Sequence, residues 1–184
     1  RNTFGMFSVS AGYSQNGGQT AESASSGGAS HGSSEDVYVS MSGLIDGLTI
    51  GAGHASLGSS NTSTTSEDSQ ESVANIVYSS GPVSVGYRIF EDNNGTAGTA
   101  SRSGEHMAIA FNVNDNFKLS YGVQDTEKEA ISATAAVTEE VTGISAAYTS
   151  GAASVRINHS KADNDNGVTG VDDETTEISL VLSF

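Results

Sequence analysis

Three sets of side chains in this 184-residue chain have types and spacings that could act on something outside it. The first is cationic. Arg88, Lys118 and Arg156 each interrupt an alternating run at its polar positions, in Ser84-x-Gly86-x-Arg88, Lys118-x-Ser120-x-Gly122 and Ser154-x-Arg156-x-Asn158. On strands tilted near 45°, with a rise of about 3.3 Å per residue, each residue climbs roughly 2.4 Å, so Arg88 and Arg156 should stand about 12–15 Å above their strand starts and Lys118 lower. The second set is acidic. Of 22 Asp and Glu, Asp46 and Asp115 lie in short turns, and the other twenty lie in long polar segments or the strand ends beside them. Carboxylates ringing one mouth would concentrate cations over about a Debye length. The third set is Asp163, Asp165, Asp172, Asp173 and Glu174. It offers the hard oxygen donors that Ca²⁺ prefers, and Glu91-Asp92-Asn93-Asn94 is a weaker second choice. An EF-hand is rejected, because Val168 stands where its sixth-position glycine must be.

Other chemistry finds little support. His31, His54, His106 and His159 are scattered and no Gly-x-Ser-x-Gly occurs, so the expectation is a protein that is not an enzyme. The absence of Cys removes disulfides, thiolate metal sites and cysteine nucleophiles. A net charge of −15 argues against nucleic acid as a partner. With 35% hydrophobic residues, the apolar content is low for a packed interior. No charged start, apolar run and cleavage site open the chain, so any secretory leader is expected to have been removed or to lie outside this sequence. The longest apolar run, Met107–Phe111, is far too short for a membrane helix.

The elements that must position these groups are strands. Period-two alternation recurs in ten runs: 7–13, 37–42, 48–55, 73–78, 83–89, 107–112, 117–124, 142–148, 153–158 and 178–184. Connections alternate between tight turns (Leu44–Gly47, Gly81-Pro82, Asn114-Asp115, Ser150-Gly151) and long segments at about 14–35, 58–71, 91–105, 125–140 and 163–174. That rhythm predicts a single up-and-down antiparallel sheet over 1–184 with one plain rim and one decorated rim. No helical period appears.

One face of these strands carries Val, Ile, Leu, Phe and Tyr, and the other is small and polar, with Asn112, Ser120 and Asn158 beside the three cations. A sandwich core interdigitates large side chains from two sheets. The pattern here is that of a membrane barrel, apolar toward lipid and polar toward a wet lumen, closed so that no backbone group meets lipid unpaired. Phe7, Tyr78, Phe111, Phe117, Tyr148 and Phe184 all fall on the apolar face near the short-turn rim, as an aromatic girdle would. His54 and His159 share that lipid-facing parity, and His106 points inward.

The ending Asp172-Asp173-Glu174-Thr175-Thr176-Glu177-Ile178-Ser179-Leu180-Val181-Leu182-Ser183-Phe184, with the hairpin segment Val141–Tyr148 before it, resembles Gram-negative outer-membrane general porins, most of all their alphaproteobacterial branch. The resemblance implies a passive diffusion channel for small hydrophilic solutes, mildly cation-preferring, in the cell outer membrane. It implies a homotrimer among lipid and lipopolysaccharide, and Ile178, Leu180, Leu182 and Phe184 as the signal read by the barrel-insertion machinery. Porins of this kind carry wall arginines opposite acids of an inward-folded loop, which gives Arg88, Lys118 and Arg156 a role in orienting solutes. General porins have about sixteen strands, so ten are read as the C-terminal part of a larger barrel. The small lumen residues favour this over a closed ten-stranded barrel, whose interior side chains would have to fill. A secreted, Ca²⁺-stabilised β-sandwich adhesin is the alternative from another class. No cofactor is expected beyond Ca²⁺ in the extracellular loops.

Overall fold

Alternation at period two leaves the backbone one way to satisfy its polar groups, which is pairing with a neighbouring strand. The computed structural model describes residues 1–14, 31–59, 68–93, 101–130 and 135–182. These form one antiparallel sheet whose strands stand in chain order. They are β1 (Asn2–Phe4), β2 (Phe7–Ser14), β3 (His31–Ser42), β4 (Leu48–Ser59), β5 (Ser69–Ser80), β6 (Val83–Asn93), β7 (Arg102–Asn112), β8 (Phe117–Lys128), β9 (Val137–Ser150), β10 (Ala153–Asp163) and β11 (Asp173–Leu182). A 3₁₀ turn at Asp165–Gly167 is the one helical piece among the described residues.

The count of ten needs correcting to eleven. Phe4 pairs with Phe7 across a two-residue turn in which Gly5 takes φ 60°, a conformation that glycine adopts without penalty. The strands are also longer than the alternation suggested. β9 runs 14 residues, where seven alternated clearly, and Glu35, Glu71, Glu91, Glu105, Asp125, Glu139 and Glu140 sit in ladders rather than loops. Backbone pairing continues past the point where the side chains on both faces become polar, because the ladder bonds do not depend on side-chain type. The short turns fall where expected. Asn114 caps one of them, its Oδ1 accepting from the Asn116 and Phe117 amides at 2.9 Å each.

Register fixes the tilt. A chain of directly paired residues runs Phe7, Met41, Ile50, Ile76, Tyr87, Met107, Val123, Thr142, Lys161. It crosses eight ladders, starting at the first residue of β2 and ending eight residues above the first residue of β10. A stagger of one residue (about 3.3 Å) per strand spacing (about 4.8 Å) gives a tilt of about 35°, within the barrel range. Each residue therefore climbs about 2.7 Å, more than a 45° tilt allows.

The sheet is one layer thick. Among the described residues no large side chain is fully buried, and Met107 (63%), Ile178 (70%) and Leu180 (62%) stand open to the surroundings. The chain exposes 12217 Å², against about 8300 Å² for a compact globule of its mass. A β-sandwich requires a second sheet against this face, and the described residues form a single sheet, so the adhesin alternative fails.

The apolar face is graded by height. From the short-turn rim it carries Phe111, Ile109 and Met107 on β7, and Leu119, Tyr121 and Val123 on β8. It turns to carboxylates seven or eight residues up, at Glu105, Asp125, Glu91 and Glu174. At about 2.7 Å per residue the apolar part is about 20 Å tall, close to the ~25 Å apolar band of a membrane barrel. Phe7, Tyr78, Phe111, Phe117 and Tyr148 lie on this face within two residues of the rim. Phe184 lies outside the described residues. Met107→Arg is expected to cost about 2–4 kcal/mol and Glu127→Arg, above the apolar part, at most about 1. Urea unfolding from phospholipid vesicles measures both, and equal costs would contradict the grading.

Candidate functional site

Side chains on the polar face fall into three registered rows near the long-loop end. The lowest runs Ser40, Gly51, Asn75, Arg88, His106, Gln124, Val141 across β3–β9. The next runs Tyr38, Gly53, Val73, Phe90, Gly104, Thr126, Glu139, and the uppermost Asp36, Ala55, Glu71, Asp92, Arg102, Lys128.

Two aromatic side chains lie flat on this face rather than standing away from it. Tyr38 crosses β4 to donate its hydroxyl to Asn75 Oδ1 at 2.8 Å, and only glycine at 51 and 53 leaves it room. Phe90 lies over Gly104, where a Cβ would meet the ring at 2.8 Å. The Arg88 guanidinium sits 5.7 Å from the centre of the Phe90 ring, which fixes its direction while leaving its N–H edge for a partner. Glycine gaps opposite aromatic side chains thus flatten the polar face where a larger residue would obstruct it.

A concavity of about 620 Å³ opens over these rows. Its margin includes Thr126, the one buried polar side chain among the described residues, whose Oγ1 accepts from Gln124 Nε2 at 3.2 Å.

The predicted lining residues all lie on the polar face but not at one place. Arg88 stands about 13 Å above its strand start, as expected, beside Asn75 and His106. Arg156 stands about 8 Å up, lower than expected. It shares Ala147 as a paired neighbour with Lys118, so those two cations form a separate pair near the short-turn rim. Asn112 pairs with Lys118. Ser120 and Asn158 flank Ser145, whose hydroxyl donates to Asn158 Oδ1 at 2.6 Å. Arg102, Lys128, Asp36, Glu71 and Asp92 on the same face were missed. Extending the parity of Arg88 through Phe90 to Asp92, and of His106 back to Arg102, finds two of them.

The acidic rim divides between the faces. Asp36, Glu71, Asp92 and Glu139 point to the polar side; Glu35, Glu91, Glu105, Asp125 and Glu140 share the apolar parity. Tyr87 donates to Glu105 on that outer side. His54 and His159 are on the apolar parity as expected, bonded to Ser72 and Thr176 at 3.0 Å each. His106 has Arg88 and Gln124 as paired neighbours and no adjacent carboxylate in its row.

The five candidate Ca²⁺ ligands are not brought together. Asp163 is bound to Lys161 at 2.6 Å, Asp165 accepts from Asn166 Nδ2, Asp172 from the Asn164 amide and Asp173 from Thr175, while Glu174 faces His159 at 3.8 Å. Among the described residues no three His, Asp or Glu converge as a metal site requires. Asn94 of the second choice lies outside the described residues. The 163–172 segment is closed by its own bonds instead. The Asp165 amide donates to the Val171 carbonyl at 2.6 Å, Gly170 to Asn164 Oδ1 and Asn164 Nδ2 to the Thr138 carbonyl. Asn164 and Asn166 take φ 57°, the left-handed region that Asn tolerates.

No protein-family model and no curated protein matches the chain. Solved structures do. A porin superposes over 100% of this chain and 60% of its own, with TM-score 0.74 at 15% identity. Outer-membrane expressed OmpT of Vibrio cholerae superposes over 96% of this chain and 60% of its own, with TM-score 0.67 at 17% identity. The chain spans about 60% of the length of these structures. EDTA is expected to leave proteolysis between residues 163 and 173 unchanged, and Ca²⁺-dependent protection would put an ion back in that loop. At these identities the likeness is one of fold: this chain is an antiparallel up-and-down sheet of the outer-membrane β-barrel kind.

Proposed function

We propose that this chain is the C-terminal part of an outer-membrane porin, a passive diffusion channel for small hydrophilic solutes and ions in a Gram-negative bacterium. One observation carries the reading: toward the short-turn rim the face opposite the apolar band is built largely from Ser, Gly, Ala and Asn, and higher up its rings, Tyr38 and Phe90, lie flat over glycines rather than reaching across a lumen. A small closed barrel is plugged by its own side chains, whereas a wide one leaves water along such a wall. Scale supports the wide barrel. Ten long strands over 60% of a neighbour's length extrapolate to about sixteen.

Transport in this reading involves no bond-making chemistry. Solutes pass by size and by the field of the wall. The carboxylates at the long-loop end give a mild cation preference, opposed by Arg88, Lys118 and Arg156. Ile178, Leu180 and Leu182 present one face on β11, and with Phe184 they form the signal for the insertion machinery. Lipid and lipopolysaccharide surround the apolar band, and three copies assemble.

In planar bilayers the protein is expected to give discrete conductance steps. A membrane-inserted protein without steps would refute the channel. Arg88→Ala with Arg156→Ala is expected to shift the reversal potential in a salt gradient toward higher cation preference, and an unmoved potential would take those arginines out of selectivity.

A further inference from the structure

On the side of the sheet that carries the apolar band, the upper edge of that band sets like charges against one another. Glu105, Asp125 and Glu140 are directly paired across β7, β8 and β9, and Asp163 continues the row on β10. Carboxylates opposed in this way repel, and more so at the border of hydrocarbon. Two of them are relieved from within the chain: Asp163 by Lys161 at 2.6 Å, and Glu105 by the Tyr87 hydroxyl. Asp125, Glu140 and the nearby Glu91 are in no ion pair among the described residues. Asp125 Oδ1 is moreover buried with no donor against it, the one such side-chain atom among the described residues. A buried acceptor in that state needs a partner from outside the chain.

A recess of about 750 Å³ opens on this same side, and Asp125, Glu105 and Glu91 line it. Its floor is made of small side chains, with Ala52 paired to Ala74. Ile89 stands between that floor and the acids, paired with Ala74 on one side and Glu105 on the other. The recess therefore straddles the border of the apolar band, about 20 Å above the short-turn rim. His54, over the alanines, is already engaged by Ser72 at 3.0 Å. A metal ion needs donors that converge on one point, and among the described residues no three do so. The carboxylates instead stand in a row at strand spacings of about 4.8 Å. An ammonium suits such a row, since its three N–H donors point apart. A soluble amine would leave the alanine floor uncovered, whereas a lipid carrying the same head covers it with its acyl chain.

We infer that this recess is a docking site for a membrane lipid with a primary-ammonium head. The ammonium donates to Asp125 and Glu105, with Glu91 adding charge on its far side, and the upper part of one acyl chain lies over Ala52, Ala74 and Ile89. The inference rests on the outer-membrane reading in placing lipid against this face, and it is independent of flow through the lumen.

Phosphatidylethanolamine, phosphatidylcholine (charged head without N–H donors) and phosphatidylglycerol (no cation), all with the same acyl chains, serve as probes. Native mass spectrometry of the whole protein, in detergent doped with each lipid and with EDTA present, reads the lipid retained. Phosphatidylethanolamine is expected to be retained at concentrations at least tenfold below either of the others. Glu105→Gln with Asp125→Asn is expected to bring it down to the phosphatidylcholine level. Ala74→Leu, which fills the floor, alters no charge and suits a lipid-facing wall, is expected to weaken it about tenfold. Glu174→Gln, on the same side but away from the recess, is expected to leave it unchanged, and this separates the site from an effect of net charge. Equal retention of the ethanolamine and choline lipids, or no loss in the double variant, overturns the site. So does phosphatidylglycerol retained more tightly in Ca²⁺ than phosphatidylethanolamine in EDTA, which would mean an ion bridge. A change in the number of copies in Ala74→Leu, with lipid retention intact, would make this face a contact between copies and overturns it too. Ethanolamine-lipid retention without conductance steps in planar bilayers would refute the channel and keep the site; steps without that retention would do the opposite.

Discussion

Everything in this molecule depends on how a sheet one layer thick satisfies its two kinds of groups. The ladder bonds serve the backbone and need no second layer. The side chains have no such internal partner, since one face has no protein packed on it. In water an exposed face of Met107, Ile178 and Leu180 would drive association. In hydrocarbon it costs nothing, and paired backbone is what hydrocarbon demands. The low apolar content follows, because a wall needs half the apolar side chains of a core: one face instead of two.

The same constraint frees the opposite face. Residues there are not selected to fill space, so they can be glycine, serine or a charged group. Tyr38 over Gly51 and Gly53, and Phe90 over Gly104, use that freedom to keep large rings against the wall. Their edges are thereby held by neighbouring strands, and Asn75 and Arg88 are oriented by them. Local flatness and room for charged side chains are two results of a face that carries no packing duty.

Sequence reading recovered the sheet where the faces differ in polarity. Phe117–Gln124 alternates without an error, and it is a strand with that parity in the structure. It failed where both faces become hydrophilic: Glu139 and Glu140 are adjacent acids on opposite faces of β9, and from sequence they look like loop. Pairing holds such residues in register, and pairing leaves no trace in a single strand's composition. For the same reason Asp36, Glu71 and Arg102 were not anticipated on the polar face, whereas Arg88, Lys118 and Arg156, set within clear alternation, were. β1 was missed because three residues are too short to display a period. The grouping of Lys118 with Arg156 depends on cross-strand partners, and no reading along one chain supplies those.

The stagger of one residue per ladder has a consequence for how such walls diversify. A registered row climbs as it passes around the sheet, so residues that touch across strands lie at different depths, and depth is written separately into each strand. A hairpin can then be added or removed without rewriting the others: its neighbours keep their own depth code and re-pair with whatever stands beside them. Bore can change in steps of two strands while composition at each level is preserved. A barrel built this way is modular around its circumference and conservative along its axis.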